Sequence, residues 1–363
     1  MTFPRPLRNL FSGLAIALAC GAGTAVAATA AENAMRGAGS TAAAPIYQAW
    51  ASQYQKSGGG SLQYDAVGSG AGVQKLREGS VHFGATDVAP SEATLAQQDW
   101  ALIPIAVTGI VPIANLPGGS GPPLRLSGNL LAQIFSGQLL RWNDPRIAEL
   151  NPQRHLPDLD ISVVVRSDGS GSTYHFSDYL AQASSDWPQA WARQTRIAWP
   201  ERFEAVAGSS AVAARVRNTP GAIGYVDFAY AKDSPQNQVW LKSLDGEWIA
   251  PAFESFRAAL RSSDWVRQGR FSSPLILQPG KNAWPLTMGT FALMPQTTQD
   301  PAATLRVLKF FAWSFMNGDQ LVKVNQFVRL PDRVQAAAFK AMSRIHDTHG
   351  APLGGYILAP ARE

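Results

Sequence analysis

Apolar positions in this chain recur with two different periods, in alternation. Short runs that alternate or are apolar throughout predict strands at residues 62–67, 81–87, 161–165 and 222–226. Between them apolar side chains fall at helical spacing: Tyr47, Trp50 and Tyr54; Val73 and Leu76; Leu130, Leu131, Ile134 and Phe135; Phe176, Tyr179 and Leu180; and residues 211–216. Two longer helices close the pattern. One carries Leu305, Leu308, Phe311 and Phe315 and ends at Gly318; the other opens at Pro331 and turns Val334 and Met342 inward, with residues 323–330 joining the two. Strand following helix following strand predicts the α/β class with mainly parallel sheets. Two runs, 102–113 and 285–294, are too long for one short strand, and the first is interrupted by Pro104, Gly109 and Pro112. They are read as crossings from one lobe to a second and back.

Length and composition fit that picture. At 363 residues the chain exceeds one ordinary domain, and 46% hydrophobic with 16% charged residues describes a folded chain with large cores. The N-terminus carries the marks of a secretory signal peptide over residues 1–27: Arg5 and Arg8, an apolar run from Leu10 to Cys20, and Ala25-Val26-Ala27 with cutting before Ala28. Cys20, the single cysteine, falls inside it, which leaves the mature chain without thiol or disulfide. The other reading makes Cys20 a lipidated residue, against which Ala17 stands where a leucine is expected. Losing Arg5 and Arg8 lowers the formal charge from +5 to +3, 29 basic against 26 acidic residues, with no basic stripe of the kind nucleic acid requires.

The candidate chemistry lies where strands give way to helices. Arg166-Ser167-Asp168-Gly169-Ser170-Gly171-Ser172 joins a predicted strand to a predicted helix. The N–H groups that open a helix lack intrahelical partners and carry positive partial charge. Glycines let such a backbone close around an anion, hydroxyls add donors, and Arg166 offers a bidentate fork that Asp168, two residues on, is placed to orient. One such turn is only a tight loop, but the chain builds the device three times, with Gly37-Ala38-Gly39-Ser40-Thr41 and Gly68-Ser69-Gly70 as the others. By themselves Ser40 and Thr41 read as helix caps, and the Gly68 turn misses the G-x-G-x-x-G spacing of a dinucleotide fingerprint. Asp87, at the end of a strand, is an odd companion for an anion site. Trp187, Trp191 and Trp199 read as core anchors rather than a sugar platform.

Taken in order, these turns together with Phe83 to Asp87, Trp142-Asn143-Asp144, Pro220 to Val226 and Lys309 to Trp313 resemble the periplasmic phosphate-binding protein of bacterial high-affinity phosphate ABC transporters, over about residues 36–335. The resemblance implies two α/β lobes of the type II periplasmic-binding-protein fold: 32–108 with 288–363, and 109–287, with the ligand cleft between them and a two-crossing hinge. It implies inorganic phosphate as ligand, delivered to an inner-membrane ABC permease, a monomer in the periplasm, no cofactor and no enzymatic activity. The implied ligand residues are Thr41, Ala42, Ser69 and Asp87 from one lobe and Arg166, Ser170, Gly171 and Ser172 from the other. Ala42 stands where a Phe is common, and Ser172 replaces a Thr but keeps the hydroxyl. The family's Gly-rich loop is represented by Ala207-Gly208-Ser209-Ser210.

On this reading Asp87 separates phosphate from sulfate. Phosphate at neutral pH still carries a proton to donate to a carboxylate; sulfate has none and would leave a desolvated acceptor unpaired, discrimination of about 10³-fold or more. Three other readings stay open. A secreted hydrolase would use Ser170 or Ser172, but the chain has no G-x-S-x-G elbow, His175 has no evident Asp partner, and neither H-E-x-x-H nor a cysteine ligand is present; His346 and His349 read as a solvated face. A different oxyanion is the second alternative, and a phosphate-binding homologue with an adhesive role the third.

Overall fold

The structure is a computed structural model that describes residues 1–2, 34–118, 121–234 and 237–357. The signal-peptide reading, and Cys20 with it, lies outside the described residues. Most of the chain goes into one eight-stranded sheet and the helices packed on it. In chain order the elements are β1 (Met35–Gly39), α1 (Ala44–Lys56), β2 (Leu62–Asp65), α2 (Ser69–Arg77), β3 (Phe83–Thr86), α3 (Glu92–Gln97) and β4 (Trp100–Ala114). Then come β5 (Leu124–Leu126), α4 (Gly128–Phe135), α5 (Pro145–Leu150), β6 (Ser162–Arg166), α6 (Gly171–Ala183), β7 (Glu204–Val206), α7 (Ser209–Asn218), β8 (Ala222–Asp227), α8 (Phe228–Ala231), β9 (Val239–Lys242) and β10 (Trp248–Ile249). The chain closes with α9 (Phe253–Ser262), α10 (Asp264–Arg267), β11 (Thr287–Pro295), β12 (Thr297–Thr298), α11 (Pro301–Asn317), α12 (Asp319–Val324), α13 (Asp332–Ser343) and β13 (His346–Asp347).

The sheet order is β2-β1-β3-β11-β4-β8-β6-β7, and β4 belongs to both ends of it. Its first ten residues, Trp100 to Gly109, pair with β11; from Ile110 to Ala114 it pairs with β8. The hand-over falls between Gly109 and Ile110. A side chain at Gly109 would collide with the Phe256 ring, 2.1 Å from where its Cβ would stand, so the strand changes partner where α9 presses closest. The interruption expected in 102–113 does not occur: β4 is one continuous strand. Pro104 is absorbed by a shift of register at Ile105, opposite Thr290 and Phe291, where a residue without an N–H costs the ladder least.

The expectation of mainly parallel sheets holds within each group and fails at the join. β2, β1 and β3 are parallel to one another, as are β7, β6 and β8, whereas β11 and β4 run antiparallel to their neighbours. Parallel strands need a crossover helix each, and α1, α2 and α7 supply them. The expected linker at 323–330 begins later than predicted, because residues 319–324 form α12 directly after the Gly318 cap of α11. One aromatic cluster, Tyr47, Tyr64, Phe83 and Phe311, fills the space behind β1 and β3; another, Phe135, Phe176 and Tyr225, lies behind β6 and β8. Trp187, Trp191 and Trp199 pack edge to face on one another, and Trp199 packs edge to face on Phe135 and tilted on Phe203, as core anchors do. No helix among the described residues is long and apolar enough to cross a membrane.

Candidate functional site

Six strand ends converge at one point, and four of them lead into helices whose opening turns face it. From the β1 group come Ser40 and Thr41 after β1, Ser69 at the start of α2, and Asp87 after β3; from the β8 group come Arg166 at the end of β6, the 168–172 turn, Ser209 at the start of α7, and Asp227 at the end of β8. All of these side chains except Asp168 are buried, with Asp87 and Arg166 each 2% exposed. Polar groups this far from water must find partners within the protein or in a ligand.

Asp87 is held by hydroxyls. Ser40 Oγ donates to both of its oxygens, at 2.7 and 2.8 Å, and Ser69 Oγ donates to Oδ2 at 3.1 Å. Ser40 Oγ also accepts the Ala43 N–H in the turn before α1; the cap expected of Ser40 or Thr41 does not form, because the N-cap position falls to Ala43 and no side chain caps it. Gly171 sits directly against the carboxylate: a Cβ there would lie 2.5 Å from Asp87 Cβ, so only glycine lets the α6 turn reach this close. Burial pushes Asp87 up to about 6, and the negative charge of Asp227 adds to it, while the Ser40 and Ser69 hydroxyls pull the other way.

Arg166 is clamped from behind. Its Nε donates to Asp168 Oδ1 at 2.6 Å and its Nη2 to Oδ2, leaving Nη1 turned to Ser209 Oγ at 3.1 Å. Asp168 also accepts the Gly208 N–H, which ties the β6 turn to the start of α7. Burial opposes the guanidinium charge, but the Asp168 hydrogen bonds and charge outweigh it and hold Arg166 above its ordinary range. The reciprocal effect brings Asp168 below the usual carboxylate range despite its own burial.

The remaining predicted residues fall into place around these two. Ser170 caps α6, its Oγ accepting the Thr173 N–H at 3.1 Å, and Ser172 Oγ donates to Asp227 at 2.8 Å. Thr41 Oγ1 meets Ser209 Oγ at 3.0 Å, and Ala42 is buried in the turn that opens α1. All eight predicted ligand residues and Asp168 are therefore brought together. Sequence reasoning missed three others at the same point. Ser40 reads from the sequence only as a candidate cap. Ser209 enters the sequence reading only as part of the loop that stands for the family's Gly-rich one. Asp227 was passed over although, like Asp87, it is a carboxylate at the end of an apolar strand followed by a helix. It accepts from Ser172 and from Ser209, at 2.6 Å, and its own pKa is pushed up by burial against the pull of Ser209, Arg166 and Ser172.

Hydroxyls, helix-opening N–H groups and one clamped arginine are the kinds of donor that suit a tetrahedral oxyanion, and Asp87 is an acceptor set among them. Comparison with known proteins places the chain. Residues 24–266 match the family model described as the PBP superfamily domain. The phosphate-binding protein PstS of Xylella fastidiosa is 37% identical over 295 residues, 81% of each chain. The chain belongs to the PstS family of the PBP superfamily. PstS of Haemophilus influenzae is 36% identical over 299 residues, covering 82% of this chain and 89% of the relative. Among solved structures, a high-affinity periplasmic phosphate-binding protein, PfluDING, solved with phosphate bound, superposes with a TM-score of 0.67 at 21% identity, over 84% of this chain and 93% of that one. This member of the PstS family has the two-lobed fold of its relatives, and β4 and β11 are its long central strands.

Proposed function

We propose that this chain binds inorganic phosphate in the periplasm and hands it to the permease of an ABC transporter, acting as a monomer and catalysing no reaction. Its PstS relatives are named as phosphate-binding proteins, and the fold match is to one of the same kind. Lobe I comprises 32–108 and 288–363 and lobe II 109–287, the signal peptide 1–27 directs export, and lipid attachment at Cys20 is the lesser alternative. Thr41, Ala42, Ser69 and Asp87 from lobe I and Arg166, Ser170, Gly171 and Ser172 from lobe II hold the anion, joined by Ser40 and Ser209; Asp168 orients Arg166. No cofactor is needed.

One observation carries this reading: a buried carboxylate, Asp87, sits among donors that otherwise suit any oxyanion. A carboxylate repels an anion unless the anion brings a proton to it, and among common tetrahedral oxyanions at neutral pH phosphate does and sulfate does not. The contacts of His175 and Ser170 favour binding over hydrolysis. His175 turns Nε2 to the Asp87 carbonyl at 2.7 Å rather than to a serine, and the Ser170 hydroxyl serves as a helix cap. Isothermal titration of the mature protein, refolded to strip carried ligand, tests the proposal. Tight one-to-one binding of phosphate unaffected by excess sulfate is expected; absence of binding, or displacement by sulfate, overturns it.

A further inference from the structure

The anion site is shut. Asp87 and Arg166 are 2% exposed and Ser170 and Ser209 1%, so no ion enters or leaves unless the face carrying Asp87 parts from the face carrying Arg166. Whatever spans the two faces must break first. Among the described residues five hydrogen bonds do so; one, from Arg333 Nη1 to the Val266 carbonyl at 3.5 Å, is exposed to solvent, and the other four bear on the site. Two belong to the site and its backbone rim: Thr41 Oγ1 to Ser209 Oγ at 3.0 Å, and Gly70 N–H to the Gly169 carbonyl at 3.0 Å. The other two share a design. His175, on α6, turns Nε2 to the main-chain carbonyl of Asp87 at 2.7 Å, and Tyr230, on α8, donates its hydroxyl to the main-chain carbonyl of Thr41 at 2.8 Å. Each takes a side chain from lobe II to the backbone of a lobe I residue whose other atoms face the anion.

We propose that His175 and Tyr230 are the latch of the closed state, setting how long bound phosphate is retained rather than how fast it is captured; the proposal rests on the phosphate-binding reading above. The chemistry of His175 argues for it. A carbonyl can only accept, so Nε2 carries the proton, and Nδ1, buried, has no partner among the described groups. Burial holds the imidazole below its ordinary range, in keeping with one proton on the ring. A buried imidazole that makes a single hydrogen bond and leaves its other nitrogen orphaned is a poor packing element, since an apolar side chain would pack there without that cost. What the histidine adds is the bond across the cleft. Tyr230 adds a second of the same kind, and Tyr64 hydroxyl, from within lobe I, covers the neighbouring Ser40 carbonyl at 2.7 Å. With both carbonyls covered, the turn that opens α1 directs its N–H groups, not its carbonyl oxygens, toward the anion. Once the faces part, water satisfies the freed groups, so these bonds weigh on the closed state alone.

The test is a rate measurement with inorganic phosphate on the mature protein: stopped-flow capture and release by wild type, His175→Leu, His175→Gln, Tyr230→Phe and the double variant His175→Leu/Tyr230→Phe. We expect His175→Leu and Tyr230→Phe each to speed release about five- to tenfold, the usual worth of one such hydrogen bond, with capture changed less than about twofold. The double variant multiplies the two effects. His175→Gln, whose amide N–H reaches the same carbonyl, stays near wild type. Unchanged release in both single variants overturns the proposal, and so does slower capture at constant release. Tyr230→Phe removes one oxygen atom and decides the matter should His175→Leu fail to fold. Failure of wild type to bind phosphate would be a different result, defeating the binding reading itself.

Discussion

Asp87 and Asp227 are built alike and placed differently. Asp227 ends a strand and Asp87 directly follows one, each is buried, and each takes hydroxyl donors from two serines in or just before the first turn of a helix: Ser40 and Ser69 for Asp87, Ser172 and Ser209 for Asp227. The asymmetry is Arg166. Its guanidinium shares Ser209 with Asp227 and pulls that carboxylate's pKa down, against burial. Asp87 has no cation to do the same; the charge that bears on it is that of Asp227, which pushes it further up, to about 6. One local device thus gives two jobs. Asp227 fixes Ser172 and Ser209, and through Ser209 Arg166, whereas on the proposed reading Asp87 is the acceptor that meets the anion's proton.

Removing the cation should erase the comparison. Arg166→Gln leaves Asp168 and Asp227 without their counter-charge and takes a charge-assisted fork from the anion, so titration calorimetry should find phosphate affinity lower by about 10³-fold, roughly 4 kcal/mol. A loss below tenfold would mean that helix-start N–H groups and hydroxyls hold the anion by themselves. Neutralising one carboxylate at a time separates the two jobs. Asp87→Asn should cost discrimination against sulfate about 10²- to 10³-fold while phosphate affinity falls about tenfold or less. Asp227→Asn should weaken phosphate binding and leave sulfate excluded. Competition calorimetry on both variants reads this directly, and equal sulfate rejection by Asp87→Asn would remove the role assigned to it.

That Asp87 was visible in the sequence and Asp227 was not has a physical reason. Asp87 follows the short apolar stretch Phe83 to Thr86 and stands out beside glycine- and serine-rich turns, where a negative charge asks for an explanation. Asp227 ends a strand of the same kind, but the residues it serves, Ser172 and Ser209, lie 55 and 18 positions away, and only the β6–β8 pairing brings them together. Ser40 hid for the opposite reason. Its local bond to the Ala43 N–H is a sufficient account of a serine before a helix, and nothing local announces its second bond to Asp87, 47 residues on. Strands and helices were legible because their periodicity is local. The continuous β4 was not, since Pro104 and Gly109 signal a break that the partner strand β11 and the Phe256 ring accommodate.

The raised pKa of Asp87 also carries a stability consequence. In the unfolded chain an aspartate titrates near 3.8, and in the ligand-free folded protein Asp87 does so at about 6. A carboxyl easier to keep protonated when folded contributes stability that is full below the lower value and lost as pH rises through the upper one. Ligand-stripped wild type should therefore lose about 2–3 kcal/mol relative to Asp87→Asn between pH 4 and pH 8, at about 1.4 kcal/mol per pKa unit. Urea unfolding of both proteins across that range measures it, and a constant difference would show that Asp87 titrates normally. Asp227→Asn should show a weaker trend, because Arg166 and two serine hydroxyls already favour its charged form.

Ser40→Ala gives the smallest effect and the finest test of how the two carboxylates differ. The hydroxyl does two things at once: it donates to both oxygens of Asp87 and accepts the N–H of Ala43 in the turn before α1. Loss of these hydrogen bonds is worth about 1 kcal/mol, so phosphate affinity should fall about fivefold. The sign of the accompanying pKa change is the informative part. Ser40 favours the charged form of Asp87, so its removal should move Asp87 further up, as carboxyl carbon chemical shifts followed against pH in the ligand-free protein would reveal. Asp227, whose serines are untouched, should titrate as before. If both groups move together, the two carboxylates form one coupled unit, and the division of labour that Arg166 imposes on them is weaker than its geometry implies.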